Sequence, residues 1–131
     1  MIRIFFKTFH KILAVMEASC SNTYGPNYVK TPNYPYNYGH NRDCTWKISA
    51  ESNRKIKLSS FSIDTEYHQN CGYDYLAIYD GSTSSGRLVA ELCGSKRQGT
   101  ILSSGNSLYL HFHSDQYQHS TGFKIKYSIV D

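Results

Sequence analysis

Apolar and polar residues alternate with a period of two near the end of the chain, where Phe123, Ile125, Tyr127 and Ile129 are separated by Lys124, Lys126 and Ser128. That period sets one row of side chains on a buried face and the other in water, which predicts a β-strand. The same alternation recurs at Cys44, Trp46 and Ile48, at Ile56 and Leu58, and at Leu108, Leu110 and Phe112. Each run is bounded by Gly, Asn, Ser or Pro, and turn signals fall at Asn33 to Pro35, Asp80-Gly81, Ser85-Gly86, Cys93-Gly94 and Gly105-Asn106. Short alternating strands with turns at this spacing predict an all-β antiparallel sandwich. After Cys20 no stretch carries the period of a long amphipathic helix. The 12 tyrosines suit such a sandwich, since each buries a large ring while its hydroxyl stays wet or finds a partner.

A chain of 131 residues describes one domain, large enough for a modest core. The formal charge of +4 suggests a basic protein until it is divided along the chain. Arg3, Lys7 and Lys11 against Glu17 carry half of it before the first cysteine, so the remainder is nearly balanced and nucleic acid is not indicated. Residues 1–19 differ in composition from the rest of the chain: they are apolar, carry basic residues, and lack glycine and proline. They read either as a secretory signal peptide or as an incomplete N-terminal segment preceding a module over 20–131. Early positive charge and the small residues Ala18 and Ser19 favour the signal, whereas Lys7, His10 and Lys11 interrupt its apolar run. Spanning a bilayer needs about twenty predominantly apolar residues, so no transmembrane segment is expected here.

The 4 cysteines fall as Cys20 and Cys44, then Cys71 and Cys93. The spacing suggests sequential disulfides, although four cysteines allow three connectivities and spacing does not choose among them. Such bridges persist only in an oxidising compartment. There is no Cys-x-x-Cys pair and no histidine at finger spacing, which argues against a cysteine-bound zinc.

The run Thr31-Pro-Asn-Tyr-Pro through Tyr38 to Cys44-Thr-Trp46-Lys-Ile48, then Cys71-Gly-Tyr-Asp74-Tyr-Leu with Asp80-Gly81, Cys93-Gly94, Phe112-His-Ser-Asp115 and Gly122-Phe123, resembles a CUB domain from Cys20 to about Val130. Each piece is weak by itself, but their order with four cysteines in register is specific. The resemblance implies a jelly-roll-like sandwich of two antiparallel sheets with disulfides Cys20–Cys44 and Cys71–Cys93.

It also implies a calcium ion at one end of the sandwich. Many CUB domains hold one with a glutamate and two aspartates, at motif positions matched here by Glu66, Asp74 and Asp115. Calcium takes six to eight oxygens from carboxylates, carbonyls and water. Three converging carboxylates without a cation would repel one another and raise a pKa. The family pattern commonly has serine two residues after the last aspartate, where this chain has Tyr117. The Tyr117 carbonyl and the Gln118 side-chain oxygen are the remaining candidate ligands. In such domains the ion orders the loops, and an acidic ligand accepts a lysine or arginine from a protein partner. Glu66 and Asp115 are the candidates for that contact. Tyr24, Tyr67, Tyr73 and Tyr117 are expected to supply a rim around it.

Catalysis finds little support. There is no Gly-x-Ser-x-Gly elbow, no His-Glu-x-x-His and no glycine-rich phosphate loop. His111 and His113 share a strand face, a spacing compatible with a zinc pair, yet solvent-facing strand positions explain them more simply. A second binding class is a basic patch of Arg54, Lys55, Lys57, Lys96 and Arg97 for sulfated glycans or anionic surfaces, as in the secreted single-CUB spermadhesins. A third is that the module belongs to a larger tolloid-type metalloprotease or cubilin-like receptor. In every case the expected role is recognition outside the cell.

Overall fold

The computed structural model describes residues 2–8, 11–65, 69–95, 97–115 and 120–131, with backbone alone at 6–8 and 11–13. One sheet has six strands: β1 (Ile2–Thr8), β2 (Lys11–Ala18), β5 (Asp43–Ala50), β10 (Ser107–His113), β7 (Tyr75–Asp80) and β8 (Arg87–Leu92), in that spatial order. The other has five: β3 (Tyr24–Gly25), β4 (Tyr28–Lys30), β11 (Gly122–Val130), β6 (Lys55–Asp64) and β9 (Ile101–Leu102). Among the described residues all the pairings are antiparallel. The sandwich expected from the alternation is therefore present.

The period of two explains the core directly. In β10, Leu108, Leu110 and Phe112 are buried while Ser107, Tyr109, His111 and His113 are half-exposed on the other face. Trp46 and Ile48 of β5 and Leu76 and Ile78 of β7 join them from the same sheet, facing Ile56, Leu58, Phe123 and Ile125 of the other. The Trp46 and Phe123 rings meet edge to face at 5.4 Å, and Phe112 meets Phe123 at 5.7 Å. Burying each such side chain stabilises the fold by roughly 1.5–3 kcal/mol. The indole N–H of Trp46 is not left unpaired: it donates to Thr23 Oγ1 at 3.0 Å.

Residues 1–19, set apart by composition, contribute β1 and β2. Strand β2 pairs along β5, from Ala14 opposite Ala50 to Ala18 opposite Trp46, and buries Ala14, Met16 and Ala18 in alternation. The bridges are Cys20–Cys44 and Cys71–Cys93, each with Cα atoms 5.5 Å apart, within the normal span of a disulfide. Gly122 opens β11 with φ +94, and a Cβ there would run into Thr31 Oγ1. Thr31 is buried and its hydroxyl accepts the Phe123 N–H at 3.1 Å, so this approach fixes the start of β11 against the 31–42 connection.

Candidate functional site

The register of β10 decides which loops meet. His113 lies opposite Asp43 on one side and Tyr75 on the other, so the exit from β10 adjoins the entries to β5 and β7. Asp115 follows that exit and Asp74 precedes β7. Two of the three acids expected to converge are thereby brought together.

Asp74 is fully buried. Its Oδ1 accepts the Asp115 backbone N–H at 2.9 Å, and its Oδ2 accepts a hydrogen bond from the Tyr38 hydroxyl. Burial pushes the Asp74 carboxyl above the usual carboxylate range. The Tyr38 and Asp115 hydrogen bonds pull the other way, and the neighbouring Asp115 charge adds to the rise. Each carboxylate oxygen has two lone pairs, so one on each remains after these bonds. A buried carboxylate with oxygens to spare beside a second carboxylate is a donor set that fits a hard cation such as calcium.

The surrounding loop is tied in place from the 38–42 segment. Ser114 is buried; its Oγ accepts the Arg42 N–H at 2.9 Å and donates to the Gly39 carbonyl at 3.0 Å. The Asn41 N–H donates to the Asp115 carbonyl at 2.8 Å, and the Arg42 Nε to the Tyr38 carbonyl at 3.0 Å. Tyr38 is buried edge-on against Phe112 at 5.0 Å, which anchors its hydroxyl at Asp74. Neither Tyr38 nor Ser114 carries a signal of this role in the sequence. Tyr38 lies between Asn37 and Gly39 in a turn-rich run, and its pairing with a carboxylate 36 residues away is visible only in the fold.

Glu66, Tyr67, Tyr117 and Gln118 lie outside the described residues, as does Lys96. Tyr73 adjoins Asp74 and is 44% exposed. Tyr24 lies in β3 at the edge of the five-stranded sheet, half-buried against the core. Of the basic residues, Lys55 opens β6 opposite Val130, at the other end of the sandwich from Asp74, and neighbouring Arg54 pairs with Asp131 at 3.0 Å. Lys57 is exposed on β6, and Arg97 belongs to the 93–100 connection. Among the described residues no helix is long and apolar enough to cross a membrane.

Comparison with known proteins agrees with this architecture. The CUB domain model matches residues 20–127. The chain is 36% identical over 100 residues to tolloid-like protein 2 of Mus musculus, covering 76% of this chain and 10% of that protein. It is 44% identical over 106 residues to cubilin of Sus scrofa, covering 79% of this chain and 3% of that one. It thus spans a small part of the length of these relatives. Among solved structures, the MASP-1 CUB2 domain bound to Ca2+ superposes with a TM-score of 0.68 at 28% identity, covering 77% of this chain and 89% of that one. With the motif order, the sandwich, the two bridges and the family match in agreement, the chain belongs to the CUB domain family.

Proposed function

We propose that this CUB domain is an extracellular recognition module that binds calcium at the end of the sandwich where Asp74 and Asp115 meet. Glu66, the Tyr117 carbonyl and Gln118 complete the ligand set. The observation that carries the reading is the buried Asp74 carboxylate, bonded through Oδ1 to the Asp115 backbone and neighboured by a second acid. The calcium-bound state of the MASP-1 CUB2 domain supports it. Two disulfides support an extracellular setting, where such bridges persist. The ion would hold the acidic loops in one arrangement, giving the lysine or arginine of a protein partner a pre-organised acceptor at Glu66 and Asp115. Tyr24, Tyr67 and Tyr73 supply apolar contact around it. The role is binding rather than catalysis, in a module of a larger protein such as the tolloid-like and cubilin relatives.

A ligand that binds the folded state alone raises the melting midpoint. The test is a thermal melt of the oxidised protein in calcium and in chelator, repeated for Asp115→Ala. The wild type is expected to melt higher in calcium, and Asp115→Ala is expected to lose that difference while folding to the same sheet content. No shift across millimolar calcium, or an unchanged shift in the variant, would overturn the assignment.

A further inference from the structure

Lys30, Lys57, Lys124 and Lys126 stand together on the outer face of the five-stranded sheet, and we infer that they form a binding face for a linear sulfated polysaccharide. The alternation of β11 sends Lys124 and Lys126 outward while Phe123, Ile125 and Tyr127 fill the core. Strand register adds two lysines that spacing along the chain does not show. Lys30 of β4 lies directly opposite Lys124, and Lys57 of β6 lies opposite Ser128, two residues beyond Lys126. With strands about 4.8 Å apart and ~3.4 Å per residue along each, the row Lys30, Lys124, Lys126, Lys57 runs obliquely across three strands over roughly 17 Å. Lys57, Lys124 and Lys126 are exposed and Lys30 is half-buried.

The row is held together at a cost to stability. Like charges directly opposite on neighbouring strands repel, as those of Lys30 and Lys124 do. Among the described residues none of the four lysines is in an ion pair. Lys124 Nζ lies 4.7 Å from the centre of the Tyr28 ring, a contact that steadies the ammonium without neutralising it. The acids bordering the row are engaged elsewhere. Asp64 accepts the Ser95 hydroxyl at 3.3 Å and the Thr121 hydroxyl at 3.1 Å, and Asp131 pairs with Arg54. A row of one sign without counter-charges is complementary to a polyanion. Hydroxyls fill the gaps: Ser59 and Ser62 lie opposite Lys126 and Lys124, Ser128 lies opposite Lys57, and the Tyr34 hydroxyl is 3.1 Å from Ser62 Oγ. Binding at a membrane surface scales with buried apolar area as well as charge, and Leu102 beside Lys57 offers one exposed apolar side chain. Ammonium groups interleaved with hydroxyls suit instead the sulfates and hydroxyls of a hydrated, extended sugar chain. Of the basic residues singled out in the sequence, Lys57 belongs to this row, and Lys55 continues it on the same side toward the Arg54–Asp131 pair.

The experiment is a titration of the oxidised protein with a heparin oligosaccharide, followed by calorimetry and by backbone amide shifts in NMR, in calcium and again in chelator. Saturable binding is expected in both, weakening as salt is raised, with the shifted amides on β4, β6 and β11. The triple variant Lys30→Gln/Lys124→Gln/Lys126→Gln should weaken it roughly a hundredfold, the scale of three lysine contacts with an anionic surface. Lys47→Gln, on the outer face of the other sheet beside Glu17, should leave it unchanged. The amide shifts of the wild type decide the matter even if the triple variant fails to fold. Desulfated heparin and phosphatidylserine vesicles should both bind more weakly than heparin. Tighter binding to the vesicles, no saturable heparin binding at low salt, loss of binding in chelator, or shifts confined to the loops around Asp74 would each overturn the assignment.

Discussion

The two ends of the sandwich are built differently. At one end the connections are short: 26–27, 51–54, 81–86 and 103–106. Their contacts are local or pair one turn with the next strand, as where Asn106 Nδ2 donates to the Ala50 carbonyl at 2.9 Å and the Ala50 N–H donates back to the Asn106 carbonyl at 2.8 Å. At the other end the connections 31–42, 65–74, 93–100 and 114–121 are long. They are held by contacts from one loop to another: Tyr38 to Asp74, Asp74 to Asp115, Ser114 to Gly39, and Thr65 Oγ1 to the Gly94 N–H at 2.9 Å. Both disulfides also fall at this end. The short turns are held against neighbouring strands, whereas the long loops are tied to one another by side chains and by the Cys71–Cys93 bridge. The end that needs those ties is also the one able to gather carboxylates from separate strands.

That contrast can be broken experimentally. The largest effect is expected from the double variant Cys71→Ala/Cys93→Ala, which frees the 65–74 and 93–100 connections and should cost ~3 kcal/mol of unfolding free energy in a denaturant titration. Tyr38→Phe should come next at about 2 kcal/mol, because a buried carboxylate loses a hydrogen bond from its hydroxyl partner. Its loss should also change the apparent calcium affinity measured by the melt. The smallest effect belongs to the short-turn end, where Asn106→Ala should cost ~1 kcal/mol and leave the calcium response as in the wild type. If Asn106→Ala proved as damaging as loss of the bridge, or altered the calcium response, the two ends would not be energetically distinct.

The strands were legible because the period of two is a local property. Leu108 to Phe112 and Phe123 to Ile129 read as half-buried strands from the chain alone, and both are. The N-terminal run was not, since Ile12 to Met16 is short and apolar, and such a run reads equally as the heart of a leader or as a buried strand. Its pairing with β5 is a long-range fact. The same divide separates the site residues. Asp74 and Asp115 could be singled out through the motif they sit in, but the hydroxyl of Tyr38 and the alignment of Lys30 with Lys124 depend on loop packing and strand register. A register shift of one residue would turn Lys30 away from Lys124 and into the core.

The spatial order of the six-stranded sheet bears on how the chain acquires its shape. Strand β10 sits between β5 and β7, both much earlier in sequence, and β11 fills the equivalent place between β4 and β6. During synthesis the two sheets therefore remain open at their centres until the last strands emerge, a topology of high contact order that folds slowly. Both disulfides, by contrast, join cysteines close in sequence and can form before either centre is filled. Oxidation can thus run ahead of sheet closure, shortening the loops that β10 and β11 must bridge and reducing the time that unpaired strand edges face other nascent chains.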